Sequence, residues 1–135
     1  MSLSPQDALI HLMVATGASD ASISQEELGR IQMMLGRLPV FAGYDASRLA
    51  DVANQCIDII NGPGGLDAAL DQAVAALPKR LQDTGYALAV EVAVVDLALP
   101  QEELRMLEMI RDRLDIDRLT TAAIEASARA RMRTA

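Results

Sequence analysis

A nine-residue pattern occurs twice in this chain. Asp20-Ala21-Ser22-Ile23-Ser24-Gln25-Glu26-Glu27-Leu28 and Asp96-Leu97-Ala98-Leu99-Pro100-Gln101-Glu102-Glu103-Leu104 both read D-x-x-[IL]-[SP]-Q-E-E-L, 76 positions apart. The same gapless offset pairs Leu12 with Leu88, Val14 with Val90, Met33 with Met109, Arg37 with Arg113 and Leu38 with Leu114. Ile31/Leu107 and Met34/Ile110 are conservative matches. Each copy reads as an apolar helix, a turn and a second helix. The chain therefore reads as two related αα-hairpins, about 8–38 and 84–114, separated by the break Asn61-Gly62-Pro63-Gly64-Gly65. Such repeats usually come from duplication, and two such units often pack about a pseudo-two-fold axis.

Composition agrees with a helical reading. With 135 residues and 51% apolar content, the chain suits one domain, 1–135, with a real core. Aromatics are only 2%, which argues against an all-β sandwich or barrel. Helix starts and stops punctuate the sequence. Ser4-Pro5-Gln6-Asp7 opens a first helix, with Ser4 as cap and Asp7 able to reach back, and Gly17 ends it. Ser24 to Glu27 is a capping box for a second helix that Pro39 stops. Asp45 caps a third helix running through Ile60, and a short fourth spans about 67–77. A fifth runs from Pro78 to about Asp96, with Gly85 as a candidate interruption. Pro100 opens the sixth, and Asp115 or Asp117 caps the last. The expectation is an all-α single-domain bundle of about seven helices with two pseudo-symmetric helix–turn–helix repeats.

Charge and residue inventory narrow the chemistry. The net charge is −7, which argues against nucleic-acid binding through a basic surface. The arginines concentrate at the end: Arg118, Arg129, Arg131 and Arg133 stand against Glu125. The last helix is expected to dock by Leu119, Ala123 and Ile124, with Ser127 as a further candidate, and with Arg129, Arg131 and Arg133 exposed. One His and one Cys cannot assemble a Cys/His zinc site, and the lone Cys56 fits a reducing compartment. The first residues show no basic, apolar signal pattern, and the apolar stretch 86–99 is broken by Glu91 and Asp96 and too short for a membrane span. A cytoplasmic protein is expected.

The repeated acids have two readings. In one, Glu27 sits in the first turn of a capped helix, Asp20 closes the preceding turn, and both serve structure alone. Pro100, which replaces Ser24, has no capping oxygen, so the second copy fits this reading less well. In the other, Asp20, Glu27, Asp96 and Glu103 converge where the two corners meet. Carboxylates held together repel, and become partly protonated or bind a hard cation such as Ca²⁺ or Mg²⁺. Glu91, between Val90 and Val92, is either a solvated edge residue or a buried ligand or arginine partner.

The paired pattern of apolar helix, Asp, short turn, [IL]-x-x-E-E and apolar helix resembles the TerB-like tellurite-resistance family, over nearly the whole chain. The resemblance implies an all-helical, internally pseudo-symmetric bundle associated with tellurite resistance and chemical-stress responses in bacteria. It also implies divalent-metal binding by acidic residues, here Asp20 and Glu27 in the first motif and Asp96 and Glu103 in the second. Glu91 joins them as a candidate ligand on the sequence reading. The family usually has Gly after each Asp, where this chain has Ala21 and Leu97; a Gly there permits a left-handed turn.

Other chemistry is faint. His11 reads as a half-buried core or boundary residue and Cys56 as a small core residue, and their spacing does not favour a nucleophile pair. The Gly-rich break lacks the strand a phosphate loop requires. The seven methionines read as core filler, or as an adaptable protein-binding face if several are exposed on the second and sixth helices. The function expected is a non-catalytic stress-response module binding a divalent cation. The alternative is a protein-interaction or scaffolding bundle whose acids only cap helices, serving a protein partner or a homo-oligomer.

Overall fold

The computed structural model describes residues 3–18, 22–95 and 101–135, with backbone alone at 101–103. Among these residues lie seven α-helices: α1 (Pro5–Gly17), α2 (Gln25–Arg37), α3 (Leu49–Ile60), α4 (Gly65–Ala75), α5 (Gln82–Val94), α6 (Gln101–Arg113) and α7 (Arg118–Arg131). Short 3-10 turns at Pro39–Phe41, Ala46–Arg48 and Lys79–Leu81 link some of them. No helix among the described residues is long and apolar enough to cross a membrane.

The caps follow local chemistry. The Ser4 hydroxyl accepts from the Asp7 N–H at 3.1 Å, Ser24 from the Glu27 N–H at 3.1 Å, and Asp117 from the Thr120 N–H at 2.8 Å. Asp45 caps the 3-10 turn by accepting from the Ser47 N–H at 3.0 Å, so α3 itself starts only at Leu49. Asp7 does not reach back to its own cap. Its carboxylate instead takes two partners from outside the helix, Tyr44 and Arg48.

α1 and α5 form the centre. Every residue of α1 from Asp7 to Gly17 is buried, and α5 buries Gly85, Tyr86, Leu88, Ala89, Val90, Val92, Ala93 and Val94. A helix apolar on all sides is stable only with neighbours on all sides. Accordingly α1 packs against α3, α4 and α5, and α5 against α1, α6 and α7. Each fully buried Leu or Ile here contributes about 1.5–3 kcal/mol. Gly85 does not interrupt α5. A Cβ there would lie 3.0 Å from both Leu12 Cδ1 and Leu77 Cδ1, so the missing side chain permits close approach to α1. Further along, a Cβ on Gly17 would lie 3.1 Å from Val92 Cγ1. Leu12 thus meets Gly85 and Gly17 meets Val92, so the two helices run in the same sense and finish side by side.

The outer helices are amphipathic. α2 buries Ile31 and Leu35 and turns Met33 outward. At the positions paired by the repeat, Leu12 and Leu88, Val14 and Val90, and Ile31 and Leu107 are buried in both copies. Leu38 and Met34 are half-buried where Leu114 and Ile110 are buried. On α7 the expected docking stripe is off by part of a turn. Leu119 is 81% exposed and Ala123 and Ser127 are exposed, while Thr121 and Ala128 are buried and Ile124 is half-buried.

Candidate functional site

The Ser24 cap fixes where α2 begins, and this sets Glu27 in its first turn over the end of α1. A Cβ on Gly17 would overlap Glu27 Oε2, so the carboxylate rests against bare glycine backbone. Glu91, in the last turns of α5, faces the same place. The two carboxylates line one small pocket of about 160 Å³, together with Arg30, Met33, Met34, Arg37, Val92 and Val95. Their side chains are 21% and 35% exposed.

Each acid already has a cationic partner. Arg30 Nη2 stands 3.3 Å from Glu27 Oε1, one turn along α2. Arg131, near the end of α7, pairs with Glu91 and also donates to Ser127 Oγ at 2.8 Å. Glu91 is therefore an arginine partner, and Arg131, exposed as expected from sequence, carries an ion pair besides. Surface pairs of this kind are worth about 0–1 kcal/mol, so they are readily exchanged for a better partner. Arg37 lines the pocket with no ion pair among the described residues. A wider cleft of about 590 Å³ between α2, α5 and α7 adjoins the pocket and shares Met34, Arg37 and Glu91 with it.

Of the five sequence-predicted ligands, the structure brings Glu27 and Glu91 together. Asp20, Asp96 and the Glu103 side chain lie outside the described residues. Among the described residues no group of three or more His, Cys, Asp or Glu side chains is close enough to hold a metal.

Sequence reasoning missed two polar networks. Asp7 accepts from Tyr44 Oη at 2.8 Å and from Arg48 Nη2 at 2.9 Å. Glu125 accepts from Tyr86 Oη at 2.5 Å and from Arg111 Nη1 at 3.0 Å. No local sequence signal links partners so far apart in the chain. Sequence read His11 as a half-buried core or boundary residue; it is a core residue, 1% exposed, and both ring nitrogens lack a hydrogen bond of normal geometry. Cys56 Sγ donates to the His11 main-chain carbonyl at 3.6 Å rather than to the ring. Burial pushes the thiol up to about 12, which leaves it protonated and non-nucleophilic near neutral pH. Comparisons with protein-family models, with curated proteins and with solved structures return no match.

Proposed function

We propose that this chain is a TerB-like, non-catalytic stress-response module that binds a divalent cation, Ca²⁺ or Mg²⁺, through Asp20, Glu27, Glu91, Asp96 and Glu103. In this reading the two hairpins are pseudo-symmetric repeats and the cation sits where their corners meet. The observation that supports it most is the convergence of Glu27 and Glu91, 64 positions apart, on one pocket. That pocket lies where α1 and α5 finish side by side, and the segments carrying Asp20 and Asp96 leave from those two helix ends. Oxygen ligands suit a hard cation. Binding would trade Arg30 and Arg131 for a single ion of higher charge density.

Thermal melts with and without saturating Ca²⁺ or Mg²⁺ test this. A ligand at 100 times its Kd stabilises by about 2.7 kcal/mol, so the melting temperature should rise by several degrees. Asp20→Asn with Asp96→Asn should abolish the rise and leave the apo protein as stable or more so. The competing reading, an interaction bundle with purely structural acids, draws on Met33, which is 61% exposed beside the same pocket. It calls for no metal response, and for Ser24→Ala to cost roughly 0.5–2 kcal/mol.

A further inference from the structure

His11 is the one histidine of the chain, and histidine is the side chain whose ordinary titration falls in the physiological range. It sits inside the buried run of α1, 1% exposed. Neither ring nitrogen makes a hydrogen bond of normal geometry or reaches solvent. The residue faces α3 and α4, where it stands beside Gln55, Asp58, Ile59 and Gln72. An apolar side chain of similar size would fill this place without the cost of burying a polar ring.

The site suits the neutral ring and not the charged one. An imidazolium presents two N–H donors. The Val52 carbonyl on α3 favours the charged form, but it belongs to a helical turn already closed within α3. Asp7, one turn earlier on α1, also favours it, but that carboxylate is held by Tyr44 and Arg48. From α3 come Asp58, which is exposed, and the Cys56 thiol, which burial keeps protonated. From α4 the ring's neighbourhood receives Gln72 and alanines, none of which ionises. Among the described residues the buried faces of α2, α5 and α6 hold one ionisable group, Tyr86, which Glu125 engages. Burial outweighs Asp7 and Val52 and holds the ring below its ordinary 6.5.

We propose that His11 is an acid sensor built into the core: a proton on its ring parts α1 from α3 and α4 and so loosens the whole fold. The proton has no way in while the three helices stay packed, because both nitrogens are closed. It is taken up as they separate. Between the lowered folded value and 6.5, the unfolded chain holds a proton that the folded chain refuses. The stability is complete above about pH 6.5 and is lost as pH falls towards the folded value. Since α1 leans on α3, α4 and α5 together, the loss is felt throughout the molecule.

Urea unfolding of the full chain between pH 7 and 5.5 tests this. The unfolding constant should rise severalfold as pH falls, with an upper limit of about tenfold per pH unit, the signature of one proton. In His11→Leu that rise should vanish. Ordinary carboxylates, cysteine and tyrosine scarcely titrate in this window, so the difference between the two chains reads His11 alone. Equal slopes in both, or a flat wild-type constant, would overturn the proposal. An NMR titration of the imidazole in the wild-type chain gives a second reading that needs no variant. The ring should stay neutral in the folded protein at pH 6; a ring that charges near 6.5 while the fold persists would overturn the proposal as well.

Discussion

The two tyrosines of this chain do the same job in opposite arrangements. Tyr44 and Tyr86 each donate to a carboxylate that an arginine also holds. Around Asp7 the acid is the buried member, contributed by α1, with its side chain 11% exposed. Tyr44 and Arg48 come to it from the loop after α2, with the guanidinium 5.3 Å over the Tyr44 ring and Phe41 edge-on at 6.1 Å. Around Glu125 the tyrosine is the buried member, contributed by α5 and 0% exposed, while α6 and α7 bring the arginine and the acid. In both places a central helix carries one polar group into the core and an outer element docks by satisfying it. Apolar packing alone tolerates sliding; a buried polar group with one set of partners does not. The docking of the α2–α3 loop and of α7 is thus specified by chemistry as well as by area.

Truncating the tyrosines should separate the two arrangements most strongly. Tyr86→Ala empties a fully buried site and should cost roughly 3–5 kcal/mol in urea unfolding, whereas half-buried Tyr44→Ala should cost about half as much. Equal losses would break the comparison. Alkaline pH sharpens it. Burial, helped by the hydrogen bond to Asp7, raises the Tyr44 hydroxyl to about 12, and burial and Glu125 raise Tyr86 as well. The folded protein then keeps protons that the unfolded chain releases near 10. The stability these groups contribute is complete below about pH 10 and falls as pH rises towards 12. Tyr44→Phe should make that decline shallower in denaturation curves taken across this range; an unchanged slope would show that Tyr44 titrates alike in both states. The smallest effects belong to the arginines. Arg48→Gln should lower the urea midpoint only slightly, because it loses an exposed ion pair and a ring contact together. Arg111→Gln should lower it by less.

The helices were legible because their signals are local. Ser4, Ser24 and Asp117 act within three residues of themselves, and each caps the helix that sequence assigns to it. Most of the burial of α5, interrupted at Ala87 and Glu91, is visible in advance as an apolar run. What could not be read depends on who arrives from elsewhere. Gly85 looks like a breaker until Leu12 and Leu77 occupy the space its side chain would fill. Leu119 looks like core, but α7 rolls so that Ala128 faces inward and Arg131 reaches Glu91. The acidic corner was legible in part: Glu27 follows from the capping box, while the Glu91–Arg131 pair joins residues 40 apart whose meeting no periodicity announces.

That α1 and α5 run in the same sense has a consequence for how the chain finds its fold. Antiparallel neighbours can meet across a short turn, but like-directed ones need a long return path, and here it passes through α2, α3 and α4. The central contact closes a loop of about 70 residues, for which the entropy must be surrendered before the contact repays it. Neither hairpin can cover its apolar helix by itself, since α1 also leans on α3, α4 and α5. The molecule is therefore built to assemble as one cooperative unit, slowly for a helical protein of its size, rather than as two halves that fold and then meet.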